Sequence, residues 1–139
     1  MSDLHELAKR AVACKGWRWM PGMLASDAGG NQHRVIEHHA GREYITTVLR
    51  DYDDAHTESS ARAVDLTPVL DDPATMGCLL ALVRKAWGRP FWVEGDTRSM
   101  GERPDEWIGV LFEGRFATCP VVHASTEAEA LVAALEAAP

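Results

Sequence analysis

Three amphipathic stretches separated by runs of β-branched and aromatic residues predict an α+β fold. The predicted architecture is a single-domain sandwich with three helices packed on a mainly antiparallel sheet of about five to six strands, in the order α-βββ-α-βββ-α. Each helical stretch carries only one apolar stripe, so each must cover a sheet face, which favours a sandwich over a bundle. Two glycine-centred breaks divide the strand-forming segments into hairpins.

The first helix follows from Leu4, Leu7, Ala8, Ala11 and Val12, which recur at i, i+3, i+4, i+7 and i+8, with Ser2 placed to cap it and Gly16 to stop it. In the second, Asp72 can accept from free backbone N–H groups and Pro73 at the first helical position loses no hydrogen bond. Its expected buried face is Met76, Leu79, Leu80, Val83 and Trp87, which would make Leu80→Ala cost ~2 to 5 kcal/mol. Arg84 and Lys85 suit the negative C-terminal end, and Gly88 ends the helix. The third opens on Thr126 and Glu129 as a capping box, with Ala128, Leu131, Val132 and Leu135 on one stripe.

Six segments read as strands: Trp17 to Leu24, Arg34 to His39, Glu43 to Arg50, Phe91 to Gly95, Trp107 to Phe112 and Phe116 to Val122. Ala40-Gly41 and Glu113-Gly114-Arg115 supply the hairpin turns. Pro21 and Pro120 cannot donate to a ladder, which assigns their segments to edges or bulges. Residues 51–60, with four carboxylates, and 96–105, mixing Gly, Pro and charge, read as loops.

At 139 residues the chain fits one domain, residues 1–139, with room for a single core. A composition that is 46% hydrophobic and 25% charged is that of a folding chain rather than a disordered one. The formal charge of -7 opposes attraction to a phosphate backbone, so direct nucleic-acid binding is not expected. The longest apolar run, Met76 to Val83, falls far short of a bilayer span. Cys14, Cys78 and Cys119 are odd in number and widely spaced, and the first ten residues lack an apolar signal core. The expectation is a cytoplasmic protein with reduced thiols.

Motifs for chemistry fail one by one. His5-Glu6 begins like a zinc-protease helix, but Lys9 stands where the second His would have to face the metal. Cys119-Pro120 reverses the deaminase order and lacks a second cysteine. No phosphate-binding glycine loop or nucleophile elbow is present. The expectation is therefore no enzyme activity, no catalytic residues and no cofactor.

Weaker clusters remain. His33, His38, His39 and His56, near Glu37 and the acid run, are candidate metal ligands without diagnostic spacing, so no metal is expected. On a strand, His38 and His39 would point to opposite faces. The acid run lacks the glycine a calcium loop needs at its sharp turn. Among the five tryptophans, Trp17, Trp19 and Trp87 sit at core positions, leaving Trp92 and Trp107 as candidate binding residues together with Asp51, Asp53, Asp54 and Glu58 of the acidic loop. Lys15, Arg18, Arg34, Arg42 and Arg50 are scattered, as solvated surface charge usually is.

Three strings then stand out: Cys14-Lys15-Gly16-Trp17-Arg18-Trp19-Met20-Pro21-Gly22-Met23, Asp72-Pro73-Ala74-Thr75-Met76-Gly77-Cys78-Leu79-Leu80, and Thr126-Glu127-Ala128-Glu129-Ala130-Leu131-Val132-Ala133-Ala134-Leu135. Together they resemble small phage and prophage proteins and, more distantly, the phage alpha-beta-alpha sandwich domain family. The resemblance implies a phage origin, a bacterial host cell and a sandwich of helices and strands; it brings no catalytic residues, and residues 28–65 carry no mark of the family.

The function expected is that of a non-enzymatic phage or prophage accessory protein that acts by binding, with a host or bacterial-defence protein as the partner it antagonises. A second reading is a small-ligand binder that sequesters a nucleotide-like signal between a Trp face and arginines. A metal-dependent hydrolase built on the His and Asp cluster comes third. Neither partner identity nor oligomeric state follows from the sequence. If the acidic loop steers a basic partner, replacing Asp51, Asp53 and Asp54 with asparagine slows association at low salt, and the difference shrinks as salt rises. Stopped-flow binding at two ionic strengths measures this, and an unchanged low-salt rate removes the loop from the interface.

Overall fold

The computed structural model describes residues 3–39, 41–49, 58–95, 106–118 and 120–139. The fold is α+β. In chain order its elements are α1 (Leu4–Ala13), β1 (Leu24–Ser26), β2 (Gln32–Glu37), β3 (Tyr44–Leu49), β4 (Glu58–Arg62), a 3₁₀ turn (Ala63–Asp65), β5 (Thr67–Pro68), α2 (Pro73–Trp87), β6 (Phe91–Gly95), β7 (Trp107–Glu113), β8 (Phe116–Ala117), β9 (Val122–Ala124) and α3 (Glu127–Glu136). Among the described residues all strand pairs are antiparallel, and they form sheets of five and four strands where the sequence suggested one. The chain divides into two compact units: Arg18–Cys78, and Met1–Trp17 together with Leu79–Pro139.

In the unit Arg18–Cys78 the sheet order is β4-β3-β2-β1-β5. Ala25 pairs with His33, Val35 with Thr47, Thr47 with Ser59 and Ile45 with Ala61, so these residues share one face. Ala25, Val35 and Ile45 are fully buried on it. Leu24, Arg34 and Val48 line the opposite face. A bulge between Val35 and Glu37 shifts the register of β2 against β3. Residues 73–78 begin α2, where the buried Thr75 Oγ1 accepts a 2.8 Å hydrogen bond from the Leu24 backbone N–H.

In the other unit β7 pairs with β6 along one edge and with β8 and β9 along the other. α3 packs on β6, β7 and β9 and against α1. Its expected stripe, Ala128, Leu131, Val132 and Leu135, is buried, as are Leu7, Ala8 and Ala11 of α1. Gly109 in β7 has a steric reason: a Cβ there would collide with Val122 and with the ring of Phe91. The Trp87 indole N–H donates to the Ala134 carbonyl at 2.8 Å, and the residue is half-buried where the sequence placed it in the core.

The helix ends follow their chemistry. Asp3 caps α1, its Oδ1 accepting from the His5 N–H at 3.0 Å; Ser2, the expected cap, lies outside the described residues. Thr126 caps α3 by accepting from the Glu129 N–H, while the Glu129 carboxylate takes the Ser125 N–H, one residue earlier than a standard capping box places it. Gly88, at φ +64°, closes α2.

Four expectations are corrected. Of Trp17 to Leu24 only Leu24 is in a strand, because Gly22 at φ +95° makes Pro21-Gly22 a turn; Trp17 and Trp19 therefore share no strand face. Phe116 to Val122 breaks into β8 and β9 around Pro120, which lies in neither. Residues 58–60, assigned to a loop, form β4 with Ala61 and Arg62; residues 51–57 lie outside the described residues, as do 96–105. On α2 the buried face is rotated: Thr75, Leu79, Leu82 and Val83 are buried, while Leu80 is half-buried. Leu79→Ala is accordingly expected to cost ~2 to 5 kcal/mol in urea unfolding and Leu80→Ala clearly less, and the reverse ranking would return the helix face to the sequence assignment.

Candidate functional site

Two polar networks leave β2 in opposite directions, and both begin with an aspartate. On one face Arg34 clamps Asp72: Nη1 donates to Oδ2 at 2.8 Å, Nη2 to Oδ1 at 3.2 Å, and Nη1 also reaches the Gly22 carbonyl at 2.9 Å. Asp72 Oδ2 further accepts the Thr75 backbone N–H and its hydroxyl, each at 2.9 Å, as the expected cap of α2. The guanidinium holds the Asp72 carboxyl at about 2, against the opposing effect of burial, and the Thr75 donors add to it. Arg34 is thus engaged with the fold rather than presented to an anionic ligand.

On the other face a row of side chains crosses the sheet. The Asp27 carboxylate meets His33 Nε2 at 2.9 Å, His33 Nδ1 meets Thr47 Oγ1 at 3.2 Å, and Thr47 Oγ1 meets Ser59 Oγ at 3.1 Å. His33 is 8% exposed and Thr47 is 0% exposed, while Ser59 on the edge strand β4 is half-buried. Asp27 sits in the turn between β1 and β2, accepting the backbone N–H groups of Gly29 and Asn31, both at 2.9 Å, and the Asn31 amide. Hydrogen bonding to His33 first, then to Asn31 and Gly29, lowers the Asp27 carboxyl to about 2. Sequence reasoning placed His33 in a metal cluster and missed Asp27, Thr47 and Ser59; the available signal was period two, which puts His33 and Thr47 on the same face as Val35 and Ile45.

The remaining candidates do not converge. The His38 ring shares a 3.0 Å hydrogen bond with the Arg42 carbonyl and His39 pairs with Glu37 at 2.9 Å, both past the end of β2 rather than on it; His56 lies outside the described residues. Among the described residues no three His, Cys, Asp or Glu side chains are grouped to hold a metal ion. Asp51, Asp53 and Asp54 lie outside the described residues, and Glu58 is exposed at the start of β4, opposite Val48. Trp92 is 52% exposed on β6, opposite Val110, whereas Trp107 starts β7, half-buried and opposite Gly95; an offset of three along β7 puts the two tryptophans on opposite faces of their sheet. The face of Trp92 also holds Glu94, Ile108, Phe112 and His123, whose Nδ1 pairs with Glu106 at 3.2 Å.

Cys14 and Cys78 are free, and burial pushes both thiols up, away from nucleophilic character; Cys119 lies outside the described residues. A cleft of about 490 Å³ is lined by Arg10, Cys14, Lys15, Leu135 and Glu136, among others. Within it Arg10 is held by Glu136 through two hydrogen bonds of 2.9 and 2.7 Å, which neutralises its charge. Among the described residues no helix is long and apolar enough to cross a membrane.

No protein-family model and no solved structure matches the chain. A thermostable DNA polymerase I from Thermus filiformis is 36% identical over 69 residues, a stretch that is 50% of this chain and 8% of the polymerase.

Because the Asp72 carboxyl is lowered on folding, its contribution is complete above the ordinary carboxylate value near 4 and is lost as the pH falls from about 4 through about 2. Asp72→Asn is expected to lower stability at neutral pH by ~1 to 3 kcal/mol and to flatten that acid decline. Urea unfolding at a series of pH values reads both, and an acid decline as steep as the wild type's would mean that the ion pair contributes nothing.

Proposed function

We propose that this chain is an accessory protein of phage type that acts by binding a basic host or bacterial-defence protein, with the Trp92 face of the four-stranded sheet as its contact. The observation that carries this reading is Trp92 itself: a large indole more than half exposed on a strand whose cross-strand partner Val110 is buried. Indole rings are enriched among the anchors of protein interfaces, because they desolvate a large area at little conformational cost. Phe112 lies diagonally across the ladder from Trp92, while the exposed Glu94 on the same face supplies acidic charge of the kind a positively charged partner needs. The net charge of -7 acts in the same direction at longer range.

The small-ligand reading has less support, since Arg34 is engaged with Asp72 and the cleft's Arg10 with Glu136. The shared stretch with the polymerase is too small a part of that protein to bring its activity with it. For a partner isolated from host lysate, Trp92→Ala is expected to weaken binding at least ~10-fold. Phe116→Ala, which removes an exposed ring opposite Glu113 on the other face, should leave affinity unchanged. Calorimetry on both variants decides, and a Trp92→Ala protein that binds like wild type removes this face from the interface.

A further inference from the structure

We propose that the row Asp27, His33, Thr47 and Ser59 is a proton relay that makes Ser59 a nucleophile toward activated acyl and phosphoryl donors, an activity independent of the binding reading. The row occupies positions where period two calls for apolar side chains, as at Ala25, Val35 and Ile45 on the same face. Burying an imidazole and a hydroxyl there is tolerable only because each satisfies the other.

When the His33 ring is neutral, the hydrogen bonds in this row have one direction. Asp27 is an ionised carboxylate surrounded by N–H donors and can only accept, so His33 Nε2 carries the hydrogen that meets it. In the neutral ring Nδ1 is then a lone pair, and the Thr47 hydroxyl must donate to it. Thr47 Oγ1 is left to accept from the Ser59 hydroxyl. Every proton therefore points from Ser59 toward the imidazole, the arrangement that activates a hydroxyl through a base oriented by a carboxylate. Thr47 is sealed within the sheet, whereas Ser59 on the outermost described strand is half-buried, so the end of the relay that loses a proton is its less buried hydroxyl.

With an aryl ester, Ser59 Oγ forms a bond to the carbonyl carbon as its proton passes to Thr47 Oγ1 and the Thr47 proton passes to His33 Nδ1. The tetrahedral adduct then breaks its bond to the aryl oxygen. A phenolate leaves, the acyl group stays on Ser59, and the imidazolium beside Asp27 keeps the proton until solvent removes it. A fluorophosphonate follows the same course, with an O–P bond formed and fluoride released.

The test is labelling of the whole chain with a fluorophosphonate probe, followed by intact-mass and peptide mass spectrometry. Ser60, exposed on the opposite face of β4 and paired with Thr46, is the internal control. The expected result is one adduct, on Ser59 and not on Ser60. Thr47→Val should slow it at least ~10-fold and Thr47→Ser should restore it. No adduct, equal labelling of Ser59 and Ser60, or an undiminished rate in folded Thr47→Val protein overturns the proposal. Should Thr47→Val fail to fold, the comparison of Ser59 with Ser60 in the wild type, together with Thr47→Ser, decides alone.

Discussion

The Asp72 carboxylate ties the five-stranded sheet to the start of α2, and the local order of that unit depends on it. It accepts from the Arg34 guanidinium of β2 and from two groups of Thr75, leaving little of its hydrogen-bonding capacity unused. A charge-assisted pair of this bidentate kind is worth more than a neutral bond and also fixes geometry. Position matters more than strength here. With its own hydroxyl donating to Asp72, Thr75 has an oxygen lone pair left for the Leu24 N–H, a buried donor that would otherwise cost ~1 to 3 kcal/mol unpaired. One carboxylate thus orients Arg34, begins the helix and indirectly satisfies β1.

What the sequence made legible was the part governed by local rules. Asp72-Pro73, Thr126 with Glu129, and Gly88 marked helix ends because capping is chemistry between residues at most four apart. Phe91 to Gly95 read as a strand and is one, since Phe91, Trp92 and Val93 have the aromatic and β-branched character that strands favour. β4 was missed because Glu58-Ser59-Ser60-Ala61-Arg62 has weak strand preference: among the described residues it pairs with β3 alone, and small residues suffice at its inward positions. The rotation of α2 from Leu80 toward Leu82 arose because a run of nearly continuous apolar residues fits more than one stripe.

Site residues were harder to find for a different reason. Proximity in sequence suggested His33 with His38 and His39, but the strand ends at Glu37 and each ring finds a separate partner. The true neighbours of His33, Thr47 and Ser59, arrive from β3 and β4 through register, which depends on a bulge in β2 and on a strand that propensity did not reveal. Trp92 was legible only as a candidate contact; its exposure is set by the sheet. Its separation from Trp107 was not legible, since the two are related only by pairing across β6 and β7.

His33 and Arg34 are adjacent in the chain and point to opposite faces of β2, and the contrast between them separates stabilising from reactive polarity. The Arg34 network closes on itself: donors from Arg34 and Thr75 end on Asp72, Thr75 Oγ1 takes the Leu24 N–H, and the Gly22 carbonyl takes the remaining contact. Closure of this kind rigidifies and leaves nothing to react. The His33 row is anchored just as firmly at Asp27, yet its other end is a half-buried serine on the outermost described strand. A wholly buried threonine bridging an imidazole to a second hydroxyl satisfies His33 Nδ1, so valine in its place would leave that buried nitrogen unpaired as well as cut the link to Ser59. Thr47 thus both satisfies a buried imidazole and joins it to a hydroxyl on the outermost described strand, whereas the Arg34 network joins its groups only to one another.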